Sequence, residues 1–298
     1  PGSPSDFTMR IWQCGRHGLP LGSKTYIMGI LNVTPDSFSG DGRLGEAAVQ
    51  SALQMIEDGA DILDIGGEST RPGAEPVPAQ EELSRVLPVL ETLAAQVRVP
   101  LSVDTTKATV ARAALAAGAS IINDISAGTF DQDMLAMLAP VNCGVILMHL
   151  RGTPQTMGWS RRAGRAGTRD VILEIMGYWT RRLTAAQVAG IAADRIALDA
   201  GFGFGKSVEE NLEILRRGSE LAACGFPILS GTSRKSTIGR ILGDVPLEER
   251  IWGTAATTAL AIAGGCDVVR VHDVRAMAQV ARVADAVVRR TNPGAAVS

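Results

Sequence analysis

Apolar residues along this chain gather into eight short runs, and each run stops at a side chain able to hold a polar ligand. The first four are YIMGI-LN at Asn32, DILDIGG around Asp64, PLSVD at Asp104, and SIIND at Asn123 and Asp124. The next four are GVILMH at His149, RIALD at Asp199, FPILSGTSRK at Lys235, and DVVRVHD at Arg270 and His272. All are β-branched and apolar on both sides, as parallel strands buried under helices require.

Stretches of helical composition fill the gaps. Residues 79–96 carry Leu83, Val86, Leu87, Leu90 and Leu93, an i, i+3, i+4, i+7 stripe. Similar patterns predict helices over 45–58, 107–117, 168–189, 208–223, 247–263 and 274–290, with a short one after Asp131. Gly118 suits the left-handed position that closes the third of these. Strict strand–helix alternation, eight times over, predicts closure: an α/β fold, the (β/α)8 TIM barrel, as a single domain. In that fold the carboxyl ends of all strands open on one mouth, so the polar stops converge on one site.

The 298 residues suit a barrel of about 250. Residues 1–8 read as a remnant ahead of a natural start at Met9, residues 9–290 as the barrel, and 291–298 as a flexible tail. Lys and Arg number 29 against 31 Asp and Glu, which gives no global pull toward nucleic acid or an anionic membrane. Aromatic residues make up only 4%, which argues against base-stacking platforms. No apolar run reaches the roughly 18 residues of a membrane span, and no signal-peptide core follows Met9. Cys14, Cys143, Cys224 and Cys266 are widely separated and read as reduced thiols of a cytoplasmic protein. Residues 151–169 form a basic, glycine-rich loop, either a solvated surface loop or one that closes over an anionic substrate.

Three constellations carry chemistry. Asp64, Asp104, Asn123 and Asp199 sit at strand ends, where carboxylates and amides can line the edge of a flat, nitrogen-rich heterocycle. Each alone could instead cap the following helix, but four at equivalent strand ends imply a ligand. Lys235 in SRKS, with Arg270 and His272 in RVHD, is cationic and suits a phosphate or diphosphate; an ion pair between Arg270 and an acid such as Asp273 is the plainer alternative. Asn32, on the neighbouring first strand, strengthens the anion-site reading. The stretch 200–207, AGFGFGKS, nearly matches the phosphate-cradling GxxxxGK[ST] loop. Its place on the sixth strand unit, the lack of a partner metal-binding Asp, and the two Phe argue against a nucleotide hydrolase. Phe202 and Phe204 suit an apolar wall for an aromatic ring.

Taken in order, NVTPDSFS (32–39), DIGGESTRPG (64–73), SVDT (102–105), IINDI (121–125), LMH (147–149), GFGFGK (201–206), SRKS (233–236) and RVHDV (270–274) resemble the dihydropteroate synthase family. The resemblance implies condensation of 6-hydroxymethyl-7,8-dihydropterin diphosphate with p-aminobenzoate, with Mg2+ as cofactor, sulfonamides as competitors, and a homodimer formed through the last helices. It places Asp64, Asp104, Asn123, Asp199 and Lys235 at the pterin. It places Asn32, Arg270 and His272 at the diphosphate, with Asn32 also a metal ligand. Thr70, Arg71, Pro72, Phe204, Lys235 and Ser236 fall at the p-aminobenzoate pocket, and Asp41, Asp104, Lys235 and Arg270 carry catalysis.

The chain departs from the family pattern in three places. SFSGDGR replaces the usual SFSDGG, shifting the acid at Asp41 by one; Ala200 stands where Pro is usual; and Thr237 follows SRKS where Phe or Met is common. The first and last fall near the expected aminobenzoate pocket, consistent either with a sulfonamide-insensitive enzyme of the mobile resistance type or with ordinary lineage variation. A methyltetrahydrofolate-binding methyltransferase barrel would share the pterin acids but has little use for the SRKS and RVHD cations. An inactive pterin-binding paralogue is opposed by the intact STRPG, SRKS and RVHD motifs.

Overall fold

The computed structural model describes residues 10–34, 44–69, 73–154, 156 and 170–289. Eight parallel strands close on themselves: β3 (Tyr26–Asn32), β4 (Ile62–Gly66), β5 (Leu101–Asp104), β6 (Ile121–Asp124), β7 (Gly144–Met148), β8 (Ile196–Asp199), β9 (Ile228–Ser230) and β10 (Val268–Val271). The order around the barrel is β10-β3-β4-β5-β6-β7-β8-β9, so the predicted TIM barrel is the observed fold. Every predicted run becomes a strand because its β-branched residues are buried on both sides, toward the lumen and toward the helices.

The outer ring consists of α1 (Leu44–Glu57), α2 (Ala79–Gln96), α3 (Ala108–Ala116), α4 (Met134–Leu138), α5 (Val171–Ala189), α6 (Val208–Arg216), α7 (Gly218–Ala222), α8 (Ser236–Ile241), α9 (Ile251–Ala263) and α10 (Val274–Val288). The helix predicted over 208–223 is broken in two. The break falls at Arg217, whose backbone leaves the helical region at φ −110, ψ 24, and Gly218 then passes the end of α9 so closely that a Cβ would lie 3.2 Å from the Cα of Gly264. Helix α8, six residues long, is too short for periodicity to reveal. Helix α5 starts at Val171 because the Asp170 carboxylate accepts from the amides of Ile172 and Leu173.

The floor holds an element that the alternation did not predict. β1 (Ile11–Cys14) and β2 (His17–Pro20) form an antiparallel hairpin turned at Gly15, which has φ +64. Trp12 and Cys14 from the hairpin pack with Met28, Ile62, Ile121, Ile146, Ala197, Leu229 and Val268, the lumen-facing residues of the strand starts. Gly144 leaves the room this needs, since a Cβ there would meet the Cys14 sulfur at 2.8 Å. The hairpin therefore stoppers the barrel at its amino-terminal end. Only the opposite end is left as a mouth.

Candidate active site

Register decides which polar stops face the lumen. Paired positions share a face in a parallel ladder, and side chains alternate along each strand. Asp64 pairs with Ser102, Asp104 with Asn123, and Met148 with Asp199, while Arg270 pairs with Met28. Asn32, Asp64, Asp104, Asn123, Asp199 and Arg270 consequently project into one lumen, just above the apolar floor. The predicted convergence is real for these six.

Their contacts form one network. Arg270 donates through Nε to Asp64 Oδ2 at 2.6 Å and through Nη2 to Asp104 Oδ2 at 2.9 Å. Asn123 donates to Asp64 Oδ2 at 3.0 Å, and Asp199 Oδ1 accepts from the Gly201 amide at 2.7 Å. The second oxygens of Asp64 and Asp104, and the hydroxyl of Ser102, which is level with Asp64 in register, are buried without a hydrogen-bond partner. An unpaired buried acceptor costs about 1–3 kcal/mol, so the mouth holds acceptors kept for a donor from outside the chain. Burial pushes the Asp104 carboxyl up to about 7, with Arg270 opposing and Asp64 adding to the shift. Burial likewise raises Asp199, against the Gly201 amide and Lys235.

Loops beyond the strands bring the cations. The Lys235 ammonium lies 3.9 Å over the centre of the Phe204 ring. Ahead of it Arg234 is held at φ +56, its guanidinium on Asp273 and its carbonyl accepting from Arg250. Asp273, the acid considered as a partner for Arg270, is thus the partner of Arg234. His272 lies just past β10, and its Nδ1 is 3.0 Å from the Ser233 hydroxyl. Burial and the charges of Arg270, Arg234 and Lys235 pull its imidazole down to about 3, so it is neutral near pH 7. Ser236 opens α8 beside Lys235. Glu68 accepts from the Val77 amide at 3.1 Å and pairs with Lys107, which also binds Glu82; this fixes both flanks of the 70–72 segment. Asp41, Thr70, Arg71 and Pro72, and residues 157–169 of the basic loop, lie outside the described residues.

Other expectations need correction. Asp124 has the opposite parity to Asn123 and faces the helices, where Ser126 and Gly128 satisfy its carboxylate. His149 also turns outward, 3.5 Å from Glu174 and edge-on to Tyr178, so it takes no part in the mouth. Thr237 is not on a pocket rim. The first turn of α8 points it inward, 4% exposed, where its hydroxyl accepts from Asn211 at 3.0 Å. Lys206 does not reach outward as the lysine of a phosphate loop would; it bends back under its own loop, which removes the nucleotide-hydrolase reading. Two residues that sequence reasoning missed are Ser233 and Asn211. A serine inside SRKS gives no sign that it holds a histidine, and Asn211 sits in an ordinary amphipathic helix.

The mouth thus offers buried acceptors for N–H donors, a guanidinium fixed between two carboxylates, and a lysine stacked on an aromatic ring. The pterin binding enzyme family model matches residues 28–272. Dihydropteroate synthase from Synechocystis sp. is 49% identical over 270 residues, 90% of this chain and 92% of the relative. The solved structure of Xanthomonas albilineans dihydropteroate synthase with 4-aminobenzoic acid superposes with a TM-score of 0.86 at 43% identity, covering 94% of this chain and 98% of that one. The Yersinia pestis dihydropteroate synthase with a sulfonamide drug complex gives 0.85 at 39% identity, covering 93% and 98%.

Proposed function

The chain belongs to the dihydropteroate synthase family of pterin-binding enzymes, and from that premise we propose that it condenses 6-hydroxymethyl-7,8-dihydropterin diphosphate with p-aminobenzoate to 7,8-dihydropteroate and pyrophosphate. The observation that carries this reading is the pair of buried, unpartnered carboxylate oxygens on Asp64 and Asp104. A pterin edge is rich in N–H donors and suits them, with Asn123 and Asp199 completing the rim and Lys235 above.

Arg270 has five N–H donors, and its two carboxylate bonds use two of them. The remainder are held in a fixed plane, suited to the diphosphate together with His272 and Asn32. As the bond from carbon to the diphosphate oxygen breaks, negative charge grows on the leaving group and positive charge spreads into the pterin ring. A preoriented guanidinium stabilises the first. The amine of p-aminobenzoate, already neutral and nucleophilic, then bonds to the carbon and loses a proton. Positioning matters more here than a strong base. Phe204, Lys235 and Ser236, with Thr70, Arg71 and Pro72, are the pocket for this second substrate. Asp41 is assigned to the developing cation.

Mg2+ fits the donor set. Asn32 supplies a hard, neutral oxygen, and Mg2+ commonly completes its shell with waters and substrate phosphates rather than an all-protein cage. When bound, the metal would neutralise charge on the departing diphosphate. Sulfonamides are competitors for the aminobenzoate pocket in this reading. Insensitivity to them would rest on the first loop, with Thr237 acting at most from beneath the pocket, buried next to Ser236. A homodimer is supported by Trp252, Leu260, Val283 and Val287, which leave apolar surface exposed on α9 and α10.

Pyrophosphate release that requires both p-aminobenzoate and Mg2+ tests the assignment. Absence of turnover with both present would point to an inactive pterin-binding paralogue. Sulfamethoxazole inhibition compared with the KM for p-aminobenzoate separates the resistant type from an ordinary enzyme.

A further inference from the structure

The loop between β8 and α6 has a buried skeleton that the proposed chemistry does not use. Gly201, Gly203 and Gly205 all take positive φ, and a Cβ on Gly201 would come within 1.9 Å of the His149 carbonyl oxygen. These turns fold the loop round the Lys206 side chain, which is 5% exposed. Its ammonium donates to the carbonyls of Gly201 at 2.8 Å, Phe204 at 3.3 Å and His149 at 3.3 Å. A second buried group, Asn211, accepts from the Gly203 amide at 2.8 Å. Through Nδ2, Asn211 donates to the Lys206 carbonyl at 3.4 Å and to the Thr237 hydroxyl at 3.0 Å.

These contacts link two loops that would otherwise be independent. Lys206 holds the carbonyl of Phe204, whose ring lies beneath Lys235. Asn211 ties the loop to Thr237, which directly follows Ser236 in α8. We propose that Lys206 and Asn211 are positioning residues that set Phe204, Lys235 and Ser236 at the spacing the second substrate requires, with Thr237 as the joint between the loops. The proposal rests on the assignment of those three residues to the aminobenzoate pocket. Neither positioning residue touches substrate. Asp64, Asp104 and Asn123, which surround the buried acceptors of the pterin edge, do not share these bonds, and Asp199 meets the loop only through the Gly201 amide, so the pterin side should respond less than the aminobenzoate side.

Steady-state kinetics of Lys206→Met, Thr237→Val and Phe204→Ala, with each substrate varied in turn, test this. Lys206→Met is expected to raise the KM for p-aminobenzoate about tenfold, as loss of a buried charged donor predicts, and to leave that for the pterin diphosphate within about threefold. Thr237→Val keeps shape and removes only the acceptor; a shift of about threefold to fivefold in the same constant is expected. Equal changes in both KM values would overturn the proposal, because they mark general loosening. So would a folded Lys206→Met enzyme with unchanged constants. If Lys206→Met does not fold, Thr237→Val decides, and an unchanged aminobenzoate KM in that variant refutes the coupling. Phe204→Ala separates the proposal from its premise: with no effect on aminobenzoate KM, the pocket assignment itself fails, whatever the other variants do.

Discussion

The two ends of the barrel bury the same kinds of polar group and treat them in opposite ways. At the floor, Arg195 donates to the carbonyls of Cys143, Ala139 and Leu138. Asp285 there accepts from the amide and hydroxyl of Thr25 and from Arg289, and the Trp12 indole donates to the Arg195 carbonyl at 3.0 Å. At the mouth, Asp64 and Asp104 each leave one buried oxygen unpaired, as does the Ser102 hydroxyl level with Asp64. Among the described residues no such unpaired group lies at the floor. The same chemistry therefore does two jobs. Saturated groups at the floor hold the fold together, and the unsaturated oxygens in the lumen of the mouth wait for a ligand at a cost in stability, while Glu82 Oε1 and His149 Nδ1 are unpaired outside the lumen.

Substitutions at the two ends should separate stability from activity. The largest effect is expected at the floor, where Trp12→Ala opens a cavity in the plug and should lower the unfolding free energy by about 3–5 kcal/mol. Urea unfolding measures this, and both KM values should stay within about twofold of the parent. A floor variant that stays stable but loses activity would break the contrast. Next comes Lys235→Ala. Removal of one preorganised donor commonly costs about 10²–10³ in rate, so a loss of that order in kcat/KM is expected with little change in melting temperature. Thr237→Phe should cost less in kcat/KM and more in stability, because it overpacks a buried site by an amount typically worth about 1–3 kcal/mol. Of comparable size, Arg270→Ala should weaken pterin-diphosphate binding by about 1.5–3 kcal/mol, read by calorimetry; an unchanged affinity would sink the anion assignment.

The same contrast explains what could be read from the chain. Strand positions were legible because burial on both faces leaves a continuous apolar run, and the period of two then decides which stop enters the lumen. Asp64, Asp104 and Asp199 follow directly from that period. His149 and Asp124 failed as members of the mouth for the same reason: each is one residue out of phase with a lumen-facing neighbour. The hairpin was missed because it lies outside the eightfold alternation. Its alternating residues Trp12 and Cys14, with Gly15 as a turn, were the available signal. Thr237 was misplaced because a six-residue helix after Lys235 has too few turns to show which face it buries. Ser233 and Asn211 act through single hydrogen bonds to residues far away in the chain, and no local pattern encodes such a bond.

Asp104 gives the most direct test, because one oxygen of its carboxylate is bound to Arg270 and the other is kept for the ligand. Its pKa is raised from 3.8 to about 7 in the fold. The stability it contributes is therefore fully present below about pH 4 and lost as pH rises through about 7. Asp104→Asn removes that loss, can still accept from Arg270, and turns an N–H donor toward the pterin edge. Binding of pterin diphosphate, followed by calorimetry beside thermal unfolding at pH 8, should show affinity down about 10–100-fold with no loss of stability relative to the parent. Undiminished affinity, or a marked fall in stability, would contradict the assignment of the unpaired oxygen to the ligand.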